Sequence, residues 1–362
     1  MKKSTLIISA ATAALMMSIS AGAHAQSWAD NTTVSGRMYY DFTNLSTKTN
    51  GVESGANNGT GFDITRFYTS VDHKFTDIFS GDITTDFQYN TTLGATELYL
   101  KKAYLDANFD PAFDVKAGAT DMPWIPYVEN IYGNRFVEKT MVDKQKFGTS
   151  SDWGLHAAGT FGKASDGNTI SYQVSMVNGN GYKNPTRSKT MDVETRLSAV
   201  LAYQWNFAVG TYSGDLGQNV FGSATPPKQK ASRFDALAAW VGDQGRIGAE
   251  YFSAKNDTAA LVDSSTPDKE SGTSIFGTYR FNHDYSVFAN TQNVKPSDIV
   301  AVGKTKTDDY YNVGATYSAF KNVDFSLVLK HDTLDVYKTV GAAPTFNKTV
   351  SNEVGIFAQF RY

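Results

Sequence analysis

Sixteen segments of this chain alternate apolar and polar residues, and the links between them alternate between short and long. The segments lie near 33–44, 62–75, 79–92, 97–109, 113–122, 152–163, 168–179, 192–205, 207–215, 231–242, 245–256, 271–281, 285–295, 308–320, 323–334 and 350–362. A period of two puts successive side chains on opposite faces of an extended strand. In the first segment Met38, Tyr40 and Phe42 take one face and Arg37, Tyr39 and Asp41 the other. In the eighth, Val193, Thr195, Leu197, Ala199 and Leu201 oppose Glu194, Arg196 and Ser198. In the fourteenth, Tyr311, Val313, Ala315 and Tyr317 oppose Asn312, Gly314, Thr316 and Ser318. The last, "SNEVGIFAQFRY", puts Val354, Ile356, Ala358, Phe360 and Tyr362 on its apolar face, with Phe357 an exception on the polar one.

The links "FTDIF", "DPAF", "KASDGN", "QWN", "GDQG", "NHD" and "FKNV" are tight. Those between them are long and polar, among them "STKTNGVESGANNGTG", "GNGYKNPTRSKTMD", "GQNVFGSATPPKQKA", "DTAALVDSSTPDKE" and "YKTVGAAPTFNK". Short turns at one rim and long loops at the other describe a bacterial barrel with its turns in the periplasm. The expected fold is therefore all-β: a 16-stranded antiparallel transmembrane β-barrel of the bacterial outer membrane. Strand sixteen is expected to close against strand one near "TVSGRMYYDF", leaving no free edge and an apolar face towards lipid. An even strand number puts both termini on the periplasmic side. A charge at mid-bilayer depth costs about 2–4 kcal/mol, so Arg37 and Arg196 must face a wet interior.

The frequent aromatics, 20 Tyr and 23 Phe, crowd the short turns at Phe75, Phe109, Phe113, Trp205, Phe207, Phe281, Tyr285, Phe320 and Tyr362. Such a belt belongs at a membrane interface. A secreted β-propeller or sandwich also alternates, but it gives no reason for the short–long rhythm or the terminal aromatic strand. The start of the chain sets the compartment. Lys2 and Lys3, the apolar run "TLIISAATAALMMSIS" and Ala23-His24-Ala25 make a secretory signal peptide, 1–25, cut before Gln26. The rest, 26–362, is expected to be a single barrel domain, slightly acidic once Lys2 and Lys3 are gone. No later apolar stretch is long enough for a membrane helix. Cysteine is absent, which excludes a disulfide scaffold, thiol chemistry and thiolate metal sites.

Sixteen strands enclose an aqueous channel rather than a core filled by side chains. The outsized link 122–152, "MPWIPYVENIYGNRFVEKTMVDKQKFGTSSD", offers Trp124, Tyr127, Tyr132 and Phe136 to anchor it inside as a constricting third loop. Its charges are Arg135, Lys139, Lys144 and Lys146 against Glu129, Glu138 and Asp143. From the walls, Arg37, Arg66, Lys102, Lys116, Arg196, Arg246, Arg280 and Lys330 are in lumen phase. Facing them in the same phase are Asp41, Asp86, Asp106, Glu194, Asp235, Glu250 and Asp332.

The run "ELYLKKAYLDANFDPAFDVKAGATDMPWIP", with "NRFVEK" in the following loop and "SGRMYYDF" at the first strand, resembles the phosphate-selective porins of the O and P type. The strand count, the long third loop and the terminal aromatic extend the likeness over 26–362. The resemblance implies a homotrimer whose third loop narrows each pore, and selection of anions by a ladder of arginines and lysines. It also implies insertion by the barrel assembly machinery through the C-terminal strand ending at Tyr362. The mixed lumen above suits a general or carbohydrate-tolerant pore as well as an anion channel.

An outer-membrane barrel hydrolase would need a nucleophile–base pair. Of the four histidines after the leader, His73 and His283 fall at the turn rim, His331 in lipid-facing phase, and His156 in the lumen. No G-x-S-x-G, H-E-x-x-H or Gly-rich phosphate loop occurs. A plugged receptor would need an N-terminal domain, for which the few residues after Gln26 leave no room. "NGNGY", 178–182, reads as a strand running into an external loop. The expectation is a passive diffusion channel in outer-membrane lipid, with weak preference for small anions over other hydrophilic solutes. Its basic strip would join Lys139, Lys144 and Lys146 to Arg37, Arg66, Lys102 and Lys116, with the acidic residues further off. No catalytic residue, cofactor, metal or nucleic-acid partner is expected.

Overall fold

The computed structural model describes residues 28–90, 95–223, 227, 229–256, 269–298, 304–338 and 345–362. Among the described residues, seventeen strands form one sheet. The first half holds β1 (Thr32–Thr49), β2 (Val52–Glu53), β3 (Gly59–Lys74), β4 (Phe79–Asn90), β5 (Ala95–Asp110), β6 (Phe113–Asp121), β7 (Ser151–Lys163) and β8 (Asn168–Val177). Then come β9 (Asp192–Leu201), β10 (Trp205–Gly214), β11 (Ala231–Gly242), β12 (Gly245–Lys255) and β13 (Lys269–Arg280). The last four are β14 (Tyr285–Asp298), β15 (Lys304–Phe320), β16 (Val323–Lys338) and β17 (Thr345–Arg361). The two-residue β2 only extends the overhang of β1 at Lys48 and Thr49, so sixteen strands are staves of the wall.

Each stave pairs antiparallel with its neighbours, and β17 returns to β1 from Arg37↔Arg361 to Thr49↔Thr349. This closure removes both edges, as the alternation required. Gly36 and Tyr362 exchange backbone bonds of 2.9 and 3.1 Å at the very end of the seam. Sequence alternation sets the facing of each stave. Phe42, Leu105, Leu197, Ile275, Leu327 and Ile356 are exposed on the outer face, while Asp41, Glu194, Ser274, Ser326 and Gln359 are buried inside. So continuous an apolar outer surface has no place in water and matches a lipid bilayer. No described helix is long and apolar enough to cross a membrane, which bears only on helices.

Two features depart from the sequence reading. The link "STKTNGVESGANNGTG" is largely structured: β1 runs on to Thr49, and Asn58 holds Thr47 through bonds of 2.8 and 3.0 Å. Strict alternation also breaks within the wall. Thr84 pairs with Lys102 but Thr85 with Leu100, so Lys101 is an extra residue in β5. Such a bulge turns two neighbouring side chains to the same face. Thr65 of β3 is bulged in the same way, between Arg66↔Tyr39 and Ile64↔Tyr40.

Candidate functional site

The segment after β6 folds into the barrel. Pro126 sits in the first turn of helix α1 (Ile125–Tyr132), where its missing N–H costs nothing. Gly133 ends the helix at φ 78°, a conformation that favours glycine. A single turn, α2 (Met141–Lys144), follows. Trp124, Ile125, Val128, Tyr132, Met141 and Phe147 are buried against apolar residues on the inner face of β10 to β14, including Leu237, Phe252, Phe276 and Val294. The tip continues round the wall, where Phe136 and Val137 pack on Tyr39 of β1, Phe288 of β14, Val328 of β16 and Phe357 of β17. Phe357, the apolar residue on a polar face, is therefore a seat for this loop.

Polar anchors complete the docking. Glu194 accepts the Trp124 backbone N–H at 2.9 Å, and Glu250 accepts the indole N–H at 2.8 Å. Arg196 donates to the Pro123 carbonyl at 2.7 Å and lies 4.2 Å from the Tyr127 ring centre. Arg246 donates to the Asn130 and Ile131 carbonyls at 3.2 and 2.9 Å, placing a cation at the helix C-terminus. Arg233, fully buried, bonds the Phe147 carbonyl, Glu194 and Asp235. Gln292 donates to the Lys139 carbonyl at 3.0 Å.

What stays open lies on the other side of this loop. A chamber of about 190 Å³ is bounded by Arg66, Tyr68, Arg135, Lys139, Asp143 and residues 180–184. A larger cavity of about 750 Å³ shares Arg66, Arg135 and Lys139 and reaches Asn57 and Asn58 at the long-loop rim. Towards the short-turn rim a third, of about 490 Å³, is lined by Arg246, Arg280, Lys321 and Arg361 with Asp284 and Asp324.

The residues singled out in the sequence scatter along this path. Arg66, Asp86, Arg135 and Lys139 meet near the middle chamber. Arg66 donates to Asp86 at 2.8 Å, and Arg135 is clamped by Glu129 and Asp143 at 2.5 and 3.2 Å. Lys139 is looser, 3.9 Å from Asp143, and burial pushes its pKa down. Lys144 instead pairs with Asp332 at 2.8 Å and Asp308 at 3.5 Å, and Lys146 is exposed apart from it. Lys330 bridges Glu353 and Glu138 at 3.1 and 3.6 Å. Burial opposes a charge on Glu138, yet Lys330 holds its carboxyl below the usual range. Arg37 bonds the Tyr39 hydroxyl, Lys102 pairs with Asp121, and Lys116 lies 3.5 Å from Asp114.

Two expectations are thus corrected. Lys139 joins Arg66 at the chamber, but Lys144 and Lys146 do not form one strip with them and Arg37, Lys102 and Lys116, because Asp308 and Asp332 on β15 and β16 take up Lys144 and Lys146 is exposed apart from the rest. Acidic groups are not remote either: Asp86, Glu129 and Asp143 sit among the central cations. The sequence reading missed Lys101, which the bulge turns inward to lie 4.7 Å from the Tyr68 ring centre. It also missed Arg233 and Lys183. A third correction concerns "NGNGY", which is no plain external loop: Tyr182 is buried and bonds Asp86.

No family model matches the sequence, and no curated protein does. Solved structures do match the fold. An anion-selective porin from Comamonas acidovorans is 9% identical, with 91% of this chain and 99% of that one covered and a TM-score of 0.60. The outer membrane channel DcaP of Acinetobacter baumannii is 13% identical over 91% and 97%, at 0.59. OmpT of Vibrio cholerae, outer-membrane expressed, is 12% identical over 91% and 97%, at 0.58. At such identities the likeness is one of fold: this chain has the barrel of the outer-membrane porins.

Proposed function

We propose that this chain is a passive outer-membrane pore for small hydrophilic solutes, with weak preference for anions. The observation that carries the reading is the central chamber, where Arg66, Arg135, Lys139 and Lys183 line the opening with Asp143 alone among the lining carboxylates. Charge at the narrowest point decides permeation, because low-dielectric walls strengthen fields that bulk water screens. The partial neutralisation by Asp86 and Glu129 keeps the preference weak. The basic chamber towards the short turns has the same sign. The short turns and both termini lie on the periplasmic side in this reading, and the copies assemble as trimers; one solved OmpT neighbour is described as a trimer form.

The test is the reversal potential in a planar bilayer under a KCl gradient, for wild type and Lys139→Glu. Anion preference in the wild type and a several-fold lower anion-to-cation ratio in the variant are expected. A cation-preferring wild type, or an unmoved variant, overturns the selectivity; absence of conducting steps overturns the pore.

A further inference from the structure

The segment between β8 and β9 turns inward and reaches β4 and β5. Its inward turn is built by glycine: Gly179 has φ 91° and Gly181 φ 73°, and a Cβ on Gly179 would lie 1.9 Å from the Asp192 carboxylate. The Gly179 N–H donates to Asp152 at 2.9 Å, and the Tyr182 N–H to the Ser151 carbonyl at 3.0 Å. From there the chain contacts the inner side of β4 and β5. The Tyr182 hydroxyl donates to Asp86 at 2.5 Å, and the Lys183 ammonium to Gln88 at 2.6 Å. Lys183 also lies 4.5 Å from the Tyr99 ring centre.

Charge accounting singles out this lysine. Around the central chamber Arg66 has Asp86, and Arg135 has Glu129 and Asp143. Among the described residues, Lys183 has only a neutral amide and two aromatic faces as partners. An ammonium held this way keeps its field for a passing solute, whereas a paired cation spends most of its field on its partner.

We propose that residues 178–191 form a second jaw of the passage, latched by Tyr182 on Asp86, and that Lys183 sets its preference for small anions. The inference rests on the pore reading. It differs from a third-loop constriction because the deciding charge is carried by another loop.

The natural absence of cysteine provides the test. In planar bilayers, Lys183→Gln removes one charge from the chamber lining, taken to act on a passing ion at about 5 Å. In a water-like medium at about 0.1 M salt this lowers the anion-to-cation ratio roughly fivefold, with little change in conductance. In K183C, a negatively charged thiol reagent added during recording reduces the current, while a neutral one of similar size reduces it less. In Tyr182→Phe, loss of the latch gives larger or noisier steps. An unchanged reversal potential in Lys183→Gln, or current in K183C that ignores both reagents, overturns the second jaw while a conducting wild type keeps the pore reading. A wild type without conducting steps overturns both.

Discussion

Trp124→Ala tests whether the third loop is held by its anchors or merely rests in the lumen. The indole is fully buried among Ile125, Val128 and the inner wall, and its N–H donates to Glu250 at 2.8 Å. Emptying a buried tryptophan site costs about 3–5 kcal/mol, and the lost hydrogen bond adds about 1 kcal/mol. The cost falls on loop docking, because the β10 to β14 ladders do not involve this side chain. A loss of about 4 kcal/mol multiplies the undocked fraction roughly a thousandfold. Arg196, Arg246 and Gln292 still hold the loop at Pro123, Ile131 and Lys139, so partial release is expected rather than a free segment. Single-channel recordings should show excursions to a larger conductance. Trypsin should cut at Arg135 or Lys139 in a variant that still migrates as a heat-modifiable barrel. A folded variant with wild-type conductance and an uncut loop would refute the docking argument.

Deleting Gln359–Tyr362 removes the pairings Arg37↔Arg361, Met38↔Phe360 and Tyr39↔Gln359 and both Gly36–Tyr362 bonds. Loss of the heat-modifiable gel species is expected, and normal folded migration would contradict the closure. Burial first, then Arg66 and Lys139, push the Lys183 ammonium down to about 8, against the pull of Asp86 and Asp143. A lowered lysine is charged below that pH and neutral above it, so anion preference should decline with a midpoint near pH 8 and stay flat in Lys183→Gln. Protease added to intact cells should cut within 221–232 and spare "GDQG" at 242–245, as gel mapping would show; the companion target 257–270 falls mostly outside the described residues. Cuts confined to the short turns would invert the proposed topology.

The wall was legible in the sequence because a stave has one rule. Lipid on one side and water on the other impose a period of two, and each inserted charge on the lipid side is costly. That rule located all sixteen staves and paired β17 with β1. It could also flag Phe357 as an exception, although its meaning needed the loop that packs on it. Where alternation itself was interrupted, the rule misled. Lys101 reads as lipid-facing when residues are counted back in twos from Leu105, yet the bulge sends it into the lumen beside Lys102. The repeated lysine "KK" in the middle of a stave was the available signal, since one of two adjacent charges must otherwise face hydrocarbon.

The passage was much less legible, because its charges are assigned by contacts between segments remote in sequence. Lys139 and Lys144 are five positions apart and look equivalent in the chain. Lys144 is taken up by Asp308 and Asp332 on β15 and β16, whereas Lys139 keeps only a long contact with Asp143. The inward path of residues 178–191 likewise depends on Asp86 and Gln88, nearly a hundred positions away. Yet "NGNG" did carry a physical hint. Two glycines in alternate positions permit the left-handed backbone that a plain strand end does not need. Composition alone gives an almost balanced lumen, and pairing then removes most charges of both signs. Selectivity in such a barrel therefore depends on the few charges left unpaired or loosely paired, and it is there, at Lys139 and Lys183, that single substitutions should move the reversal potential.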